Sequence, residues 1–107
     1  MIKDTRNLPI SYNVGGQLIR VEEVEQLANL KLGECSVAGG YIKVANTYGQ
    51  NNYQSIECKY NTFIHEIVHT ILYTMGENGL YSDEKFVSSF SSFLTEVLTT
   101  MKYKENE

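Results

Sequence analysis

Hydrophobic positions change period along the chain, and the changes divide it into elements. In PISYNVGGQLIRV, from Pro9 to Val21, Ile10, Tyr12 and Val14 alternate with polar residues. The pattern stops at Gly15-Gly16 and resumes at Leu18, Ile19 and Val21. Two-residue alternation broken by a glycine pair predicts a strand, a tight turn and a second strand. The period then shifts in VEEVEQLANLKLG, where Val21, Val24, Leu27, Ala28 and Lys31 share a helical stripe and Gly33 suits a C-terminal cap; a short helix is predicted there. CSVAGGYIKVANTY returns to strand character with Gly39-Gly40 as its turn and YIKVA as the clearest strand, and YGQNNYQS reads as a polar loop.

Two longer helical patterns follow. Ile56, Tyr60, Ile64, Ile67, Val68, Ile71 and Met75 recur at steps of three and four, which predicts a helix from about Tyr53 to Met75, with Asn52 as its cap and Gly76 or Gly79 as its end. After GLYSD, the residues Phe86, Val87, Phe90, Phe93, Leu94, Val97, Leu98 and Met101 form the apolar side of a second helix whose other side is mostly Ser, Thr, Lys and Glu. No repeat or linker interrupts the order, and Pro9 is the only proline. The expectation is one α+β domain spanning residues 1–107, a small antiparallel sheet packed on two long helices.

The first long helix carries both histidines of the chain, in HEIVH from His65 to His69. Residues i and i+4 of a helix lie one above the other. Two imidazoles are therefore presented side by side, as two nitrogens of a tetrahedral zinc site require. Glu66 is rotated by about 100° from His65, so it flanks such a metal as a general base rather than binding it. The plainer alternative is two histidines satisfied at the edge of the helix's buried stripe, half-buried beside Ile64, Ile67, Val68 and Ile71.

A third ligand has to come from elsewhere. The pattern HExxHxxGxxH is ruled out, because Leu72 and Met75 stand where its glycine and histidine belong. A carboxylate is the natural remaining ligand, and Glu77, Asp83, Glu84 and Glu96 are the candidates. Glu77 is too near the end of the first helix to fold back, and Glu96 falls among solvent-facing residues. Asp83 and Glu84 open the second helix. Asp83 suits the N-cap, which occupies its oxygens and favours Glu84 as the ligand; against this, position 83 extrapolates closer to the middle of the apolar stripe. Both residues also suit a helix N-terminus on electrostatic grounds alone. Ser88, Ser91 and Ser92 are small enough to let the helices approach, or are simply solvated.

Composition narrows the function. The net charge is −4 with Lys and Arg scattered, which disfavours nucleic acid as a partner. No apolar run approaches the roughly 20 residues of a membrane span, and the N-terminus lacks the apolar core of a leader peptide. A cytoplasmic address is expected, with Cys35 and Cys58 as free thiols. KYKENE reads as a frayed polar end.

The stretches YNVGGQLIRVEEVEQLANLKLGECS, YIKV, TFIHEIVHTILYTMG and DEKFVSSFSSFLTEVL resemble the small HExxH proteins of phages and prophages of Gram-positive bacteria. More distantly they are similar to minimal zincins of the ImmA/IrrE and SprT-like metallopeptidases. The resemblance implies a short zincin fold, with zinc held by His65, His69 and Glu84 and with Glu66 catalytic. It also implies an acidic residue four positions after the ligand glutamate, where this chain has Ser88. On this reading the protein hydrolyses a peptide bond of a protein or peptide substrate. YIKVA would pair with the extended substrate as a sheet edge, and Tyr73 or Tyr81 would stabilise the oxyanion. A rival from another class is a catalytically silent interaction module on the same scaffold. A third is a metal-free domain in which HEIVH is coincidental.

Overall fold

The alternation around Gly15-Gly16 builds a hairpin, in which β1 (Ser11–Val14) pairs antiparallel with β2 (Gln17–Val24). Both turn glycines have positive φ, 57° and 82°, as a tight two-residue hairpin turn demands. The computed structural model describes residues 7–105. The N-terminal stretch expected to lack a leader peptide and the polar end KYKENE lie partly outside the described residues.

The helix expected from Val21 does not form. β2 continues through Val24 and runs parallel to β4 (Tyr41–Ala45), with Val21 opposite Ile42 and Val24 opposite Ala45. Valines three apart fit a helical stripe by spacing. Branching at Cβ nevertheless costs them in a helix and suits a pleated strand, and here the strand also has a backbone partner. What remains of the expected helix is one 3-10 turn, Ala28–Leu30, in which Asn29 and Leu30 take left-handed φ values of 59° and 55°. Gly33 is no helix cap. It opens β3 (Gly33–Ser36), which pairs antiparallel with β4.

The sheet order is β1-β2-β4-β3. Its β2–β4 pair is parallel, so the sheet is mixed rather than antiparallel as expected. The order also corrects the assignment of a substrate edge to YIKVA: β4 is an inner strand, hydrogen-bonded on both sides, and the open edge beside it belongs to β3.

The long helix α1 spans Ile56–Met75. Its cap is Ser55, whose side chain accepts from Cys58 N at 3.1 Å, not Asn52; Tyr53 is held in a bridge to Thr47 before the helix begins. Gly76, with φ 79°, closes the helix as expected. A short turn, α2 (Asn78–Tyr81), which the sequence pattern does not signal, leads into α3 (Glu84–Thr100). None of these helices is long and apolar enough to cross a membrane.

The core joins Ile19, Ile42 and Val44 of the sheet to Phe63, Ile64, Val68 and Leu72 of α1 and Val87 of α3. Ile71, expected in the buried stripe, is exposed. The stripe expected on α3 is divided in two. Val87 is fully buried and Phe86, Leu94 and Leu98 pack against the core, whereas Phe90, Phe93, Val97 and Met101 face outward. The polar residue Ser91 takes a core position at 1% exposure, its Oγ donating to Ser88 O at 3.2 Å. The contact with α1 therefore follows Val87, Ser91, Leu94 and Leu98, and a small side chain lets the two helices close. Val87→Ala is expected to cost about 2 kcal/mol in urea unfolding. Phe93→Ser, on the outward side, is expected to stay within about 0.5 kcal/mol of wild type.

Candidate metal centre

The antiparallel packing of α1 and α3 decides which side chains meet. Asn61 near the start of α1 accepts from Thr95 Oγ1 at 3.3 Å, so the opening residue of α3 arrives further along α1, beside the histidines. His65 and His69 lie on successive turns with ring centroids 5.0 Å apart. The carboxylate of Glu84 spans them: Oε1 is 2.8 Å from His69 Nε2 and Oε2 is 3.2 Å from His65 Nε2. One donor atom from each of the three residues falls within 4.8 Å of the others.

Asp83 is kept out of this group by its other task, since its side chain caps α3 by accepting from Phe86 N at 3.0 Å. Glu77 and Glu96 are not part of it either. The histidines differ in depth: the side chain of His69 is 10% exposed and that of His65 23%, while Glu84 stands at the rim at 66%.

The donor set suits zinc. Two imidazole nitrogens and one carboxylate are what catalytic zinc sites use, with a fourth position left open. One usual support is missing. A ligating histidine ordinarily donates its second ring nitrogen to a carboxylate or carbonyl. Here Nδ1 of His69 is buried with no hydrogen-bond partner, and the position four residues after Glu84 holds Ser88, not an acid.

Glu66 is wedged between α1 and β3. A Cβ on Gly33 would sit 3.2 Å from Glu66 Oε2 and 2.6 Å from Thr62 Cγ2, so the carboxylate fits there because residue 33 has no side chain. Burial raises the pKa of Glu66. A hydrogen bond from the Cys35 thiol and the nearby His65 and His69 pull it down, and Glu84 pushes it up. The Cys35 thiol is itself pushed well above the ordinary range, first by burial and then by Glu66. Tyr81 closes the far side, its ring centroid 5.0 Å from that of His69. Burial raises the pKa of this phenol too, which keeps it a hydrogen-bond donor. Tyr73 contacts Tyr81 at 5.9 Å but is half-exposed and does not line the cavity. The hollow, about 520 Å³, is walled by His65, Glu66, His69, Glu84, Tyr81 and Cys35, among others.

HEIVH and Glu84 thus come together as expected from the sequence, and Tyr81 joins them. Gly33 and Cys35 were not anticipated as site residues. Alternation along GECS puts both on one face of a strand, but which face meets α1 depends on the parallel β2–β4 crossover, which has no local signature.

Zinc added to metal-free protein is expected to raise the melting temperature. At about a hundred times its Kd, a ligand that binds only the folded state adds about 2.7 kcal/mol. The shift should vanish in His69→Ala and shrink in Glu84→Ala, as thermal melts with and without zinc will reveal.

Compared with known protein families, curated proteins and solved structures, the chain matches none.

Proposed function

We propose that the protein is a zinc-dependent peptidase in which His65, His69 and Glu84 hold the metal and Glu66 is the general base. The observation that carries this reading is the Glu84 carboxylate lying across both Nε2 atoms from a separate helix. A surface acid satisfying one histidine does not need that arrangement. Zinc bound there supplies Lewis acidity, polarising a carbonyl and lowering the pKa of water to about 7.

The chain's own residues supply the rest. Glu66 accepts a proton from the attacking water as its oxygen bonds to the peptide carbon. The same carboxyl then delivers that proton to the nitrogen as the carbon–nitrogen bond breaks, leaving a free acid and a free amine. Cys35 and Gly33 hold the Glu66 carboxylate between strand and helix. Tyr81 lines the same hollow, and its hydroxyl is assigned as the donor to the carbonyl oxygen as negative charge develops there. An extended substrate finds its backbone partner at the open edge of β3, which runs beside the same hollow.

A second reading, an interaction module without catalysis, is favoured by the outward row of Phe90, Phe93 and Val97 on α3, with Met101 just beyond its end, since exposed apolar patches on small proteins mark contact surfaces. One substitution separates the two. In the peptidase, Glu66→Gln lowers peptide hydrolysis by about 10²–10⁴-fold and leaves the zinc-induced rise in melting temperature intact. Zinc binding with no hydrolysis by wild type, on any of a broad set of peptides, favours the interaction module.

A further inference from the structure

We propose that three hollows along the free edge of β3 form one groove for an extended peptide, and that its far end receives a large apolar side chain about three residues from the reacting bond. This rests on the peptidase reading for the bond that is cut, but not for the binding itself.

The hollows adjoin one another through shared wall residues. The one around the histidines shares Lys31, Gly33, His65 and Glu66 with a second of about 410 Å³, which reaches between α1 and α3 to Ser88, Ser91 and Ser92. The second shares Leu32 with a third of about 330 Å³, walled by Leu32, Tyr48, Tyr53, Gln54, Ser55 and Cys58. Leu32, which opens the third hollow, immediately precedes Gly33 of β3, so the strand edge leads from one end to the other.

That edge offers backbone partners. Leu32 O accepts from Ala45 N at 2.9 Å, which makes these two residues a hydrogen-bonded pair of the β3–β4 ladder. Antiparallel ladders alternate bonded and non-bonded pairs. The N–H and C=O groups of Gly33 and Cys35 therefore point away from β4, toward the groove. No strand among the described residues pairs with that side. An added strand takes its affinity from such groups and its specificity from hollows for its side chains.

The third hollow differs in chemistry from the metal centre. No charged side chain lines it. Leu32, Tyr48 and Tyr53 each leave a large apolar surface exposed there, Tyr53 at 64%. The hollow is also held in shape from beneath. Gln54 is buried, donates to Ala45 O at 2.7 Å and to Leu32 O at 3.3 Å, and accepts from Thr62 Oγ1 at 3.0 Å. Aromatic walls on a fixed floor without charge select a leucine, phenylalanine or similar side chain.

Helix geometry sets the distance between the two ends. Cys58 in the third hollow and His65 at the metal centre stand seven residues apart on α1, about 10 Å at 1.5 Å per residue. An extended peptide covers that in about three residues at 3.3 Å each.

The test uses fluorescein-labelled ten-residue peptides of Ala, Gly and Thr with one position replaced by leucine, phenylalanine or aspartate. Binding to zinc-loaded Glu66→Gln protein is read by anisotropy, and cleavage by wild type is read by mass spectrometry. Leucine and phenylalanine peptides should bind about tenfold more tightly than aspartate peptides. Tyr53→Asp and Leu32→Asp, added separately to the same protein, should remove that preference while binding of the unsubstituted peptide persists. Cleavage by wild type should fall about three residues from the apolar side chain. No binding of any peptide, or an apolar preference that survives both substitutions, overturns the proposal. Selective binding lost in both variants but never followed by cleavage supports the groove and instead overturns the peptidase reading.

Discussion

Two imidazoles one turn apart on a helix can hold a cation firmly only if a third donor is carried to them, and here that donor travels on a different helix. The position of Glu84 is therefore set by how α3 packs on α1. Val87, one turn beyond Glu84, is fully buried against the core, and Ser91, one turn further, is small enough to let the helix axes close. Asp83 takes the capping role at the start of α3, which leaves both oxygens of Glu84 for the histidines. A change that separated these helices by even a side-chain width would leave HEIVH intact and the site incomplete.

The sheet imposes the second constraint. Because β2 and β4 run parallel, the intervening chain must leave the sheet and return on its far side as β3. β4 then inserts between β2 and β3, which leaves β3 as an open edge beside the face of α1 carrying Glu66. Gly33 makes room for the Glu66 carboxylate and Cys35 hydrogen-bonds to it. The same strand thus confines the proposed base and offers unpaired backbone to a substrate.

Local chemistry was legible in the sequence wherever one element decided the outcome. The glycine pair at 15–16, the strand YIKVA, the two long helices, the cap at Asp83 and the pairing of His65 with His69 all follow from short-range patterns, and the cap at Asp83 in turn favoured Glu84 as the third donor. Where several elements compete, spacing misleads. Val21 and Val24 fit a helical stripe, yet pairing with β4 claimed them for a strand. The helical row on α3 contains more apolar residues than α1 can cover, so Phe90 and Phe93 stay outside while Ser91 goes in. Ser55 displaced Asn52 as the cap of α1 because Tyr53 is tied to Thr47 just before the helix starts. The mixed sheet, and with it the roles of Gly33 and Cys35, depends on a crossover that no local signal encodes.

We propose that three side chains from two helices bind one metal ion. The most direct test is the metal content of protein purified without added metal, measured for wild type and for His69→Ala in parallel. About one zinc per wild-type chain and almost none in the variant is expected, with both proteins folded. Metal-free wild type that also fails to take up added zinc would contradict the proposal, as would equal zinc in the two proteins.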